Sequence, residues 1–134
     1  AKPMGSSLGY VFARLGTSEE ILDLPNTANL NTNLNIRSTY GRLLATNWTD
    51  LLDGTINMSL GSAGVVTTSG GEWWSFSGSS GNFQSSNSCD NGTSSSSSIN
   101  GRVGRDYEID SGWIEGHARD CNSTSKYLLC IAKP

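Results

Sequence analysis

The run Leu43-Leu44-Ala45-Thr46-Asn47-Trp48-Thr49-Asp50-Leu51-Leu52-Asp53-Gly54-Thr55-Ile56 reads as a strand, a capped helix and a further extended piece in succession. Leu43, Leu44 and Ala45 close a strand that begins at Tyr40-Gly41. Thr46 or Asn47 then offers a side-chain oxygen to the free N–H groups of a helix start. Trp48, Leu51 and Leu52 fall on one face of that helix, and Gly54 stops it. Ile56 to Leu60 continues as a strand or a turn.

Toward the N-terminus, residues 26–39 are Asn-rich and predict an irregular loop around a short extended piece. Thr17-Ser18-Glu19-Glu20-Ile21-Leu22-Asp23 predicts a short helix, capped by Thr17 or Ser18, with acids in its first turn and Pro25 at its end. Tyr10 to Leu15 alternates in a way that predicts a strand buried on both faces.

Toward the C-terminus, residues 61–72 form a Gly/Ser/Thr loop around Val65 and Val66. Trp73-Trp74-Ser75-Phe76-Ser77-Gly78 is the strongest strand signal, aromatic and alternating. A Ser/Gly/Asn stretch follows, with the serines Ser94 to Ser98, and reads as a loop packed on the domain. Lys126 to Ala132 is a terminal strand. The sum is an α+β pattern of low helix content, with a long loop region in the C-terminal half.

The 134 residues suit one domain with a real core, although only 35% are hydrophobic. Charged residues make up 16% and the formal net charge is −3, so the surface is polar but weakly charged. No basic patch suits phosphates, which argues against nucleic acid. No apolar run approaches the roughly 20 residues that span a bilayer, so no membrane insertion is expected. No signal peptide stands at Ala1, so a secreted chain is expected to have lost it or to lie in a longer parent.

The three cysteines, Cys89, Cys121 and Cys130, allow one pair and a leftover, or three reduced thiols. An oxidised, secreted or cell-surface protein is the reading preferred. No Cys-x-x-Cys or Cys/His spacing suggests zinc. The only histidine, His117, lies in Trp113-Ile114-Glu115-Gly116-His117, and no Gly-x-Ser-x-Gly accompanies it. Asp106, Glu108, Asp110, Glu115 and Asp120 crowd one region, where carboxylates could serve hydrolysis or hold calcium. The bland reading is preferred: an Arg105–Asp110 ion pair, with Asp106 and Glu108 on a solvated face. No enzyme, cofactor or metal is expected.

Together these segments resemble a known family. Leu43 to Ile56 is similar to the Asn-Trp-x-Asp-Leu-x-Asp-Gly segment of a bacterial surface-protein family related to endostatin, the C-terminal domain of certain collagens. Trp74-Ser75-Phe76-Ser77-Gly78 resembles its Trp-Thr-Gly strand. Cys89, Gly104-Arg105, Asp110-Ser111-x-Trp113, Cys121-Asn122 and Leu128-x-Cys130-Ile131 follow in the family's order, and the likeness covers about residues 8–132. The resemblance implies a C-type-lectin-like (endostatin-like) fold. The chain departs from it in lacking a first helix and its cysteine before Ala1–Ser7, in Gly92 where Trp is usual, and in Leu129 where Tyr is usual. It also lacks the Glu-Pro-Asn, Gln-Pro-Asp and Trp-Asn-Asp triplets with which C-type lectins hold calcium and sugar.

The resemblance further implies that Cys89 pairs with Cys121 and that Cys130 is left without its partner. A Cys121–Cys130 pair closing a short hairpin is the competing arrangement. Residues 1–134 are then expected to be a single domain at the end of a longer extracellular protein. The expected role is adhesion or recognition of a cell-surface glycan or protein through the loops between Trp73 and Arg119. Trp73, Asn82, Phe83, Arg102, Tyr107, Glu108, Glu115 and His117 are the candidate binding residues. If Trp74 packs inward, as the resemblance implies, Trp73 points outward beside Asn82 and Phe83. Alternatively the 79–101 loop covers it. The other role considered is a structural tip or oligomerisation module of a larger fibre, possible as a homotrimer.

Overall fold

A computed structural model describes residues 9–12, 14, 16, 19–66 and 70–133. It is a small α+β arrangement of short elements, low in helix, with antiparallel sheets. The first strand, β1 (Gly9–Val11), pairs antiparallel with the last, β7 (Cys130–Ala132), Val11 lying opposite Cys130. Phe12 N extends the ladder by donating to Leu129 O at 2.8 Å. The expected burial on both faces does not hold, since Tyr10 is half-buried, Val11 is exposed and Phe12 is buried. Ala13 and Leu15 lie outside the described residues, as do Thr17 and Ser18 of the expected first helix.

That helix forms later than the sequence predicts. Ile21 to Asp23 is a turn, and the helix α1 is Leu24–Ala28, with Pro25 inside its first turn. The physical reason is that proline lacks only an N–H that a helix start leaves unbonded anyway, and its φ is already helical. Pro25 therefore begins the helix instead of ending one, and Asn29, left-handed at φ 51°, closes it.

A two-stranded ladder, β2 (Ile36–Arg37) with β3 (Leu43–Ala45), leads into α2 (Trp48–Leu51). Asn47, not Thr46, is the cap: its side-chain oxygen accepts from Asp50 N at 2.8 Å. Asp50 Oδ2 in turn accepts from Thr46 N at 2.7 Å and from Thr46 Oγ1 at 2.9 Å. These bonds, the backbone one foremost, hold the Asp50 carboxyl below its ordinary value. Residues Ile56 to Leu60 make turns, tied down by Ile56 N to Ile109 O and Asn57 N to Leu44 O.

The three-stranded sheet has the order β4 (Glu72–Trp74), β5 (Asn100–Arg105), β6 (His117–Asp120), all antiparallel. On the other side of β4 runs Tyr127, whose N–H donates to Glu72 O and whose carbonyl accepts from Trp74 N, both at 3.0 Å. The core is aromatic at its centre. Phe12 lies 5.9 Å from Trp48 and edge-on to Trp73 at 6.0 Å, and Trp73 lies 5.8 Å from Trp113. Rings from Phe12, just after β1, and from α2, β4 and the 3-10 turn Ser111–Trp113 thus meet, and Leu24, Leu51, Leu60 and Ile114 pack round them.

Candidate functional site

The two tryptophans of β4 part company. Trp73 is 2% exposed and lies in the core, which corrects the expectation that it points outward to a ligand. Its Nε1 donates to Trp113 O at 2.9 Å. Its ring lies so close over Gly104, its antiparallel partner, that a Cβ there would strike both Trp73 and the Trp113 carbonyl. Strand neighbours face opposite ways, so Trp74 takes the outer face. It is half-buried and stacks on Phe76 with ring centroids 5.5 Å apart.

The stack floors a recess of about 470 Å³ lined by Trp74, Phe76, Cys89, Cys121, Val11 and Leu128. Gly101 permits it. A Cβ on Gly101 would lie 2.6 Å from Trp74, 2.7 Å from Cys89 Sγ and 2.8 Å from Phe76. Cys89 and Cys121 are bonded, with Cα atoms 5.5 Å apart, and Cys130 is free and half-buried. The Cys89–Cys121 alternative is therefore the one realised.

Backbone strain gathers at the same place. Phe76 has φ 51°, and the single turn Cys89–Gly92 has positive φ throughout, at 54°, 54°, 55° and 76°. A side chain in the left-handed region costs about 1–2 kcal/mol, least for Asp and Asn. Asp90 and Asn91 are that kind of residue; Cys89 and Phe76 are not. The turn is held by Ser88 Oγ, which accepts from Asn91 N at 3.0 Å, by Ser94 N donating to Cys89 O at 2.9 Å, and by the disulfide. Within the serine run Ser96 N donates to Ser94 Oγ and Ser98 N to Ser96 Oγ, each at 3.2 Å. These bonds join serines of the run to one another, and Ser95, Ser97 and Ser98 are exposed.

Beside Trp74 on the sheet sits an ion-pair cluster that sequence reasoning missed. Glu72 accepts from Arg119 Nη2 at 2.7 Å and Nε at 3.0 Å, and pairs with Lys126 Nζ at 3.0 Å. Burial pushes the Glu72 carboxyl up, but the hydrogen bonds and charges of Arg119 and Lys126 outweigh it and hold the group at about 2. The bond from Glu72 likewise raises the Arg119 guanidinium, with Tyr107 and Asp120 near enough to add to the effect.

The remaining candidates fall into two groups. Arg102 Nε donates to Gln84 Oε1 at 2.9 Å, and Gln84 Nε2 to Glu115 Oε1 at 2.8 Å. Glu115 Oε2 also accepts from Ser79 N at 2.8 Å, and Glu20 Oε2 from Phe83 N at 2.7 Å. Arg102 and Glu115 thus fasten the hairpin that presents exposed Asn82 and half-buried Phe83. In the second group Arg105 pairs with Glu108 at 3.2 Å and lies 5.8 Å over the exposed Tyr107 ring. The expected Arg105–Asp110 pair is replaced by this one, because Asp110 caps the next turn by accepting from Gly112 N. Asp106, expected on a solvated face, is 1% exposed and accepts from Gly71 N at 2.9 Å. His117 is exposed on the edge strand β6, opposite Val103.

No protein-family model matches the chain, and no curated protein matches it. Among the described residues no group of three or more His, Cys, Asp or Glu could hold a metal ion. No helix among them is long and apolar enough to cross a membrane.

Proposed function

We propose that the chain is an extracellular adhesion or recognition module of C-type-lectin-like, endostatin-like fold. It binds a cell-surface glycan or protein through the outer face of the three-stranded sheet and the loops around it. The observation that carries this reading is the half-buried Trp74, stacked on Phe76 in a disulfide-bounded recess next to Glu72, Arg119 and Lys126. A ring that offers one face, with planar and charged polar groups at its side, suits both a sugar ring and a protein anchor. Strained residues grouped round one recess add support, since strain persists where the surroundings hold it for a use. The disulfide supports an oxidising compartment. Paired terminal strands and a long loop region closed by the Cys89–Cys121 disulfide support the fold.

A glycan array and a pull-down from cell-surface extracts test the reading, with Trp74→Ala as the control. Binding by the wild type that W74A loses, while its melting transition persists, supports it. Blank results from both at high protein concentration sink it.

The second reading, an oligomerisation tip, is favoured by Leu128. It is 62% exposed and borders the recess with Val11, an apolar rim that another copy could cover. Light scattering that returns a strict monomer removes this reading.

A further inference from the structure

A second cavity lies on the other side of the molecule's aromatic centre, between the core and β7. It measures about 520 Å³, within the range of about 300–1,000 Å³ usual for small-ligand sites. Phe12, Leu60, Trp73 and Trp113 form its floor, and Leu129 and Ile131 its wall. Protein interiors leave few voids larger than a water molecule. A void with apolar walls offers water few hydrogen-bond partners, and leaving it empty forfeits packing. The cavity is an open cleft with mainly apolar walls, where an apolar occupant gains packing.

The polar edge says which kind. Arg37 and Thr39 are exposed there, buried Ser38 lies between them, and Arg37 is the only charged side chain among the described lining residues. Its position is set by a turn: Ser38 N donates to Arg42 O at 2.9 Å, and Gly41, at φ 81°, supplies the carbonyl that accepts from Arg37 Nη1 at 3.0 Å. A fixed guanidinium at the entrance of an apolar cleft complements a carboxylate or phosphate. The wall is the weakly tied part, since among the described residues β7 pairs only with β1, over three residue pairs. An occupant can enter by small movements of that strand.

We infer that this cleft binds a single acyl chain with an anionic head, the chain against Trp73 and Trp113 and the head at Arg37. Neither Trp74 nor Arg119 lines the cleft, and Leu128 borders both it and the recess. A free fatty acid and a membrane lipid both supply such a head.

The test titrates the whole chain with dodecanoate below its critical micelle concentration and reads tryptophan emission. Dodecyltrimethylammonium serves as the cationic counterpart. Saturable binding is expected, with dodecanoate about tenfold tighter than the cation. Arg37→Glu reverses that preference, and Val65→Trp, which fills the cleft, abolishes binding of both. Arg37 is exposed at the end of β2, so R37E keeps the test decisive if V65W fails to fold. Phosphatidylglycerol vesicles separate the sources: sedimentation with vesicles that R37E loses assigns a lipid acyl chain, and dodecanoate binding without sedimentation assigns the free acid. No saturable change, equal affinity for the two heads, or an unaltered preference in R37E overturns the inference.

Discussion

Glu72 on β4 and Arg119 on β6 bond to each other across the intervening strand β5, the carboxylate meeting both Nε and Nη2 of the guanidinium. Alternate strands lie about 10 Å apart, so the pair needs the full reach of an arginine. It clamps the edge strand, whose four residues are all exposed, to the strand that carries Trp74.

The clamp makes stability depend on pH. Glu72 titrates at about 2 when folded, against an ordinary 4.5. Between those values the unfolded chain binds the extra proton, so stability falls with falling pH. The contribution is complete above about pH 4.5 and lost as pH drops toward 2. Glu72→Gln should cost about 2 kcal/mol near neutrality. Urea denaturation across this range should show wild type and E72Q converging below pH 4.5; parallel curves would contradict the clamp.

The adjacent tryptophans should respond oppositely to truncation. Trp73→Ala removes a buried ring and orphans the Trp113 carbonyl, at a cost of about 3–5 kcal/mol. Trp74→Ala, on the outer face, should cost clearly less and act on ligand binding. Thermal melts of the two variants decide, and a larger loss in W74A would refute the assigned facing.

Gly101→Ala probes the convergence behind the recess. Its φ is not positive, so the penalty is steric and comes from Trp74, Phe76 and Cys89 Sγ, all under 3 Å from the added carbon. Overpacking of this kind costs about 1–3 kcal/mol. The same change at Gly104 meets the Trp113 backbone, which cannot swing aside, and should be worse. Equal melting temperatures for G101A and wild type would show that the stack has room.

Replacing Cys89 and Cys121 by serine opens a link between residues 32 apart in sequence. The expected loss is about 3–4 kcal/mol, from the freed unfolded chain. A non-reducing peptide map should return the Cys89–Cys121 fragment, and a thiol reagent should titrate Cys130 alone after unfolding. A Cys121–Cys130 fragment would contradict the pairing.

Local chemistry was legible in the sequence. The capped helix at Trp48 formed where its residues announced it. The strand expected over Trp73–Gly78, by contrast, stops at Trp74, before the left-handed Phe76, and the one expected over Lys126–Ala132 is confined to Cys130–Ala132. Each depends on interactions within a few residues: a cap, an alternation, a turn. The cysteine pair was also anticipated, as what the resemblance read in the sequence implied. Pro25 misled because proline both ends and starts helices, and the choice depends on what packs behind it.

What only the tertiary structure decided is which face each residue shows and which distant partner it meets. Alternation dictated that Trp73 and Trp74 oppose each other, but either could have been the outer one. The decision fell to Gly104 and the Trp113 carbonyl, which accept only the Trp73 ring at that depth. Glu72 with Arg119, and Arg102 with Gln84 and Glu115, were invisible for the same reason. Propensity acts between neighbours in the chain, whereas these bonds join segments brought together only after the core has closed.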